Sequence, residues 1–105
     1  MRMIGALLID LLVIMGIAAA TPDQVKITSP HDGDQFTLGN TIKIRSMVSS
    51  SNDGQLFVRM LINGARVLTS NWVPTEAGVY TIMVEAADNR EFTNSIQKTV
   101  TVTVV

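Results

Sequence analysis

Apolar and polar residues follow two different rules along this chain, and the change falls near Thr21. From Ile4 to Ala20 the sequence is almost continuously apolar, broken only by Gly5, Asp10 and Gly16. Downstream, apolar residues recur at every second position in short runs separated by turn chemistry. The first pattern predicts a hydrophobic helix directed to a membrane, and the second predicts half-buried strands.

After a junction at residues 21–24, Val25-Lys26-Ile27-Thr28 is the first alternation. Ser29-Pro30-His31-Asp32-Gly33-Asp34 supplies a turn, Phe36 and Leu38 resume extended chain, and Gly39-Asn40 turns again. Ile42, Ile44 and Val48 form one stripe opposite Lys43, Arg45 and Met47, and residues 49–54 read as a loop. Leu56, Val58, Met60 and Ile62 form the next stripe, opposite Phe57, Arg59 and Leu61. Asn63-Gly64 is a strong hairpin signal, because both residues tolerate positive φ, and residues 65–68 return as a short strand. Trp72-Val73-Pro74 reads as a brief edge piece, since proline cannot donate to a ladder. Tyr80, Ile82, Val84 and Ala86 alternate in a long strand, and Val100, Val102 and Val104 make the last stripe. That Val/Thr-rich terminal strand is expected to pair within its own sheet.

About seven short strands, turns at intervals of about 8 to 12 residues and no helical repeat after Thr21 predict an all-β, antiparallel β-sandwich. With 105 residues, one domain is the limit. Of residues 1–20, 16 are apolar, so the 47% hydrophobic content of the whole chain overstates that of residues 21–105.

Three readings of residues 1–20 stay open. In one, Arg2 is the basic start, Leu7 to Ile14 the apolar centre and Ala18-Ala19-Ala20 the cleavage site of a signal peptide. In another the segment remains as a membrane anchor. Its helix would reach about 27 Å against a hydrocarbon core of about 30 Å. Asp10 would then cost about 2.5–3.5 kcal/mol near the middle. In the third, residues 5–14 resemble the start of type IV pilins and pseudopilins. Cleavage after Gly5 would place Asp10 at the acidic fifth position, where the family usually carries Glu. The resemblance implies that Asp10 pairs with a neighbouring subunit's N-terminal amine during filament assembly.

Eight Lys and Arg against nine Asp and Glu leave no basic excess for phosphate contacts, so no nucleic-acid partner is expected. The absence of cysteine removes thiolate catalysis, Cys-ligated metal and disulfides.

Residues 25–105 resemble bacterial immunoglobulin-like domains of secreted glycoside hydrolases and surface adhesins. The residues that carry the resemblance are Val25-Lys26-Ile27-Thr28-Ser29-Pro30, Asp32-Gly33, Gly39, Ile42, Ile44, Ile62-Asn63-Gly64, Trp72-Val73-Pro74, Ala77-Gly78-Val79-Tyr80 and residues 84–89. The resemblance implies an immunoglobulin-like sandwich and no catalytic residues. Tyr80 stands at the tyrosine-corner position, with its phenol expected to bond upstream backbone. Ile82 stands where antibody domains place a cysteine and is expected to pack on Ile44. Trp72 is expected to cover one end of the core, with a sugar-stacking platform as the alternative.

Little else carries chemistry. His31 reads as a solvated turn residue. Asp32 with Asp34, Asn52 with Asp53, and Asp88 with Asn89 offer oxygen ligands for calcium but read first as turn residues. Glu76, Glu85, Asp88 and Glu91 include no pair oriented for glycoside hydrolysis. No catalytic, cofactor-binding or metal residue is therefore assigned and no enzyme is expected. The expectation is an exported interaction or adhesion module, secreted or held at the cell surface, with residues 49–54 and 89–94 as contact loops. Its partner is a protein or further copies of itself, a polysaccharide being the alternative, with membrane contact through residues 4–20 if these are uncleaved.

Overall fold

The computed structural model describes residues 20–105. They contain nine strands and no helix: β1 (Pro22–Ser29), β2 (Gln35–Phe36), β3 (Ile42–Lys43), β4 (Arg45–Ser50), β5 (Phe57–Ile62), β6 (Ala65–Val67), β7 (Asn71–Trp72), β8 (Gly78–Ala87) and β9 (Ile96–Val104). The expected N-terminal helix and Asp10 lie outside the described residues.

β8 and β9 form the spine of a five-stranded sheet ordered β2–β9–β8–β5–β6. Their antiparallel ladder runs from Gly78 opposite Val104 to Ala86 opposite Ile96. One turn of chain closes the β5–β6 hairpin, where Asn63 and Gly64 both adopt positive φ, 50° and 83°. A β-carbon is strained there, so Asn and Gly are the residues this turn selects.

Three expectations need correction. The sheet is mixed, because β2 runs parallel to β9, Gln35 opposite Thr103. The turn before β2 is laced to β9 by Gly33 N–H donating to Thr101 O and Thr101 N–H donating to Asp32 Oδ1, both at 2.8 Å, and this sets the direction. Residues 21–24 are not a junction. β1 begins at Pro22, opposite Ser50, at the start of an edge strand where its missing N–H leaves no rung unfilled. The single strand expected over residues 42–48 is broken at Ile44. β3 pairs with β7, and β4 pairs with β1. Ile44 N–H donates to Ser70 O at 2.8 Å, so the break is a change of partner and not a change of direction.

The alternation delivers its apolar stripes to one core. Ile42, Ile44, Ile62, Ile82, Val100, Val102 and Val104 pack as one buried cluster, with Ile82 fully buried. A second cluster joins Val25 of β1 to Val84 and Ala86 of β8, so the β1–β4 ribbon lies over the inner face of the large sheet. Burying each of these branched side chains contributes about 1.5–3 kcal/mol. Val58 departs from its stripe. It shares a face with Met60 and Ile62 yet is 47% exposed, because no strand among the described residues reaches over it.

Candidate interaction site

Both expected contact loops lie at the end where the chain enters the fold. Pro22 stands opposite Ser50, Phe57 opposite Ala87, and Ala86 opposite Ile96. The 51–56 and 88–95 connections are therefore neighbours of the entry point. Ala20 N–H donates to Gln55 O at 3.1 Å, and Thr21 N–H donates to Asn52 Oδ1 at 2.8 Å. Asn52 thus fastens the first loop to the first strand.

The second loop is held by its own side chains. Asn89 Oδ1 accepts from Thr93 N–H, while Asn89 Nδ2 donates to Thr93 O, both at 3.1 Å. Asn89 Nδ2 also donates to Asp88 Oδ1 at 2.6 Å. Phe92 and Asn94 take positive φ, 57° and 54°, which turns the loop back across the outer face of the sheet. A phenylalanine at positive φ is uncommon, and packing holds it there.

That packing centres on Arg59 and Glu85. They oppose each other across β5 and β8, and Arg59 Nε donates to Glu85 Oε1 at 2.6 Å. The Ser95 hydroxyl donates to Glu85 Oε2, tying the far end of the loop to the same carboxylate. The Arg59 guanidinium also lies 4.2 Å from the Phe92 ring centroid, a cation–π contact. Burial by itself would raise the Glu85 pKa. The hydrogen bonds from Ser95 and Arg59, with the charge of Arg59, outweigh burial and hold the carboxyl below the ordinary glutamate value.

Beside this anchor, Phe57, Val58, Arg66, Arg90 and Phe92 line a shallow hollow of about 190 Å³. Arg90 lies over the Phe57 ring at 5.3 Å from its centroid. Arg66 and Arg90 have no ion-pair partner among the described residues. Arg66 and Arg90 thus present uncompensated positive charge next to two arenes. Sequence reasoning missed this group. Period-two alternation put Phe57 and Arg59 together on the polar face, but nothing in it brought Phe92 or Ser95 back over that face.

The other singled-out residues sit elsewhere. Tyr80 Oη donates to Glu76 O at 2.7 Å, and its ring meets Trp72 edge-on, with centroids 4.8 Å apart and planes at 74°. Both rings are half-buried against the main core cluster, which also contains Ile44 and Ile82. His31 is exposed in its turn, where its N–H donates to Asp34 Oδ2 at 2.9 Å. Asp32 Oδ1 accepts from Thr101 N–H, within β9. Among the described residues, no three His, Asp or Glu side chains gather as a metal site. No protein-family description matches the chain, and no curated protein or solved structure does either.

Proposed function

We propose that this chain is an exported, non-catalytic immunoglobulin-like module whose entry-end loops and neighbouring cationic hollow grip an acidic surface on a partner protein. The strand order supports the immunoglobulin-like reading. Two two-stranded ribbons, β1–β4 and β3–β7, meet at Ile44 and pack on the five-stranded sheet β2–β9–β8–β5–β6, as the smaller layer of such a sandwich would. Tyr80, bonded to backbone four residues upstream just before the penultimate strand, supports it too.

The observation that carries the function is the built hollow. Arginine and aromatic residues dominate binding hot spots because they combine apolar area with directed charge. Here Phe57 of β5 and Arg66 of β6 share one depression with Arg90 and Phe92, which stand on a loop pinned by Asn89 and Glu85. A pinned loop loses little conformational entropy on binding. By contrast, Trp72 is half-buried with Tyr80 against its ring, which weakens the sugar-platform alternative.

The test has two arms. Immobilised poly-L-glutamate serves as the acidic probe for the full chain and for an Arg66→Glu, Arg90→Glu double variant. Saturable, salt-sensitive retention that the double variant loses supports the reading, and equal retention by both chains removes it. N-terminal sequencing of the native protein reports on export. A start near Thr21 fits a secreted module, whereas a start at Ala6 replaces this reading with the filament-subunit one.

A further inference from the structure

We infer that the hollow beside the Arg59–Glu85 anchor takes one aromatic side chain of a partner protein, a phenylalanine or tyrosine standing between carboxylates. The inference rests on the acidic-surface reading above and names the residue that the site reads.

Size comes first. A pocket for a free small molecule holds about 300–1,000 Å³, whereas the hollow holds about 190 Å³. A cavity of about 150 Å³ is enough for one benzene ring. The depression therefore has room for a single ring carried on a polypeptide.

The lining favours a ring over an aliphatic side chain. Phe57 and Phe92 are both half-buried, so each keeps part of its surface for an incoming group. Arg90 lies over Phe57 and Arg59 over Phe92, at 5.3 and 4.2 Å from the ring centroids. A ring that enters meets aromatic and cationic groups together, and gains contacts with both beyond its buried area. Val58, 47% exposed, adds apolar surface to the same lining.

A second copy has no ring to offer. The chain carries three Phe, one Trp and one Tyr, and all five, Phe36, Phe57, Trp72, Tyr80 and Phe92, are half-buried in its own fold. The occupant is therefore a different protein. Charge does not name the ring, but it orders the flanks. Arg66 comes from β6 and Arg90 from the 88–95 connection, so cations reach the hollow from two elements. Asp88 and Glu91 belong to that connection, yet neither lines the hollow or lies within ion-pair distance of Arg66 or Arg90. Carboxylates on both sides of the incoming ring suit this arrangement.

The probe is the peptide Glu-Glu-Phe-Glu-Glu, N-acetylated and C-amidated, titrated into the ¹⁵N-labelled full chain held in zwitterionic nanodiscs. Expected are saturable amide shifts at residues 57, 58, 66, 90 and 92, with an Overhauser contact from the peptide ring to the Val58 methyls. An alanine-centred peptide should bind about tenfold or more weakly, and a leucine-centred one about threefold or more weakly. Phe57→Leu, which keeps apolar volume in β5, should bring the phenylalanine- and leucine-centred peptides to within about twofold. Lysine in place of the flanking glutamates should weaken binding. Equal binding of the phenylalanine- and alanine-centred peptides, with poly-L-glutamate still retained, overturns this inference and leaves the acidic-surface reading standing. Shifts that map away from the hollow, or an unchanged ring preference in Phe57→Leu, overturn the inference as well. Loss of both peptide and poly-L-glutamate binding, or tighter binding of the lysine-flanked peptide, overturns the two together.

Discussion

Arg59 and Glu85 face each other directly across the β5–β8 ladder, so backbone register alone brings the guanidinium within 2.6 Å of the carboxylate. The carboxylate side chain is only 10% exposed while the arginine is 32% exposed, so the two ends of the pair are unequal. Replacing Glu85 by Ala leaves Arg59 and the Ser95 hydroxyl without their acceptor and is expected to cost about 2–3 kcal/mol. Arg59→Ala is expected to cost less, about 1–2 kcal/mol, because part of its charge already meets solvent. Urea unfolding measures both. Amide exchange should accelerate in residues 88–95 well before it does in the centre of β9.

Acid should release the same anchor. The Glu85 pKa is depressed in the folded protein, so its contribution is complete above the unfolded-state value of about 4.3 and is lost as pH falls through the lower folded value. Stability should therefore fall more steeply below about pH 4.3 in the parent than in a Glu85→Gln variant, which has no proton to take up there. Parallel slopes from thermal melts across that window would assign the acid sensitivity to other carboxylates.

Tyr80 joins two interactions that substitution separates. Tyr80→Phe removes the bond to Glu76 O and keeps the ring against Trp72, at an expected cost of about 1 kcal/mol. Tyr80→Ala removes both and should cost about 3–5 kcal/mol. Near-ultraviolet circular dichroism of Trp72 should survive the first change and weaken in the second.

Asn63 supports the β5–β6 hairpin through its φ of 50° and through Oδ1, which accepts from Thr81 N–H at 2.9 Å. Asn63→Ala forfeits both and should destabilise by about 1–2 kcal/mol, while Asn63→Gly keeps the backbone freedom and should cost about half of that. Chemical denaturation of the two variants checks the order.

The core was legible because a period of two needs no tertiary information. Ile82, Val100, Val102 and Val104 announce their face wherever the strand is finally placed, and Asn63-Gly64 announces its turn through backbone sterics alone. What alternation lacks is the identity of the neighbour. The parallel pairing of β2 and the partner change at Ile44 depend on hydrogen bonds that Asp32 and Ser70 accept from Thr101 and Ile44, partners remote from them in sequence. The Arg59–Glu85 pair depends on register between two strands. The contact of Phe92 with Arg59 depends on two positive-φ residues in a loop, which single-residue preferences for phenylalanine argue against.

The described chain starts beside the 51–56 loop, through Ala20 to Gln55 and Thr21 to Asn52, so under the proposed function the fate of residues 1–20 would set what the binding loops could reach. Left in a bilayer, that segment would hold the Phe57–Phe92 depression close to the lipid headgroups, where only a companion lying on the same membrane could meet it. Removed at the Ala18-Ala19-Ala20 site, it would free this end to meet partners in solution. A single proteolytic event would then decide between a short-range membrane clasp and a diffusible one.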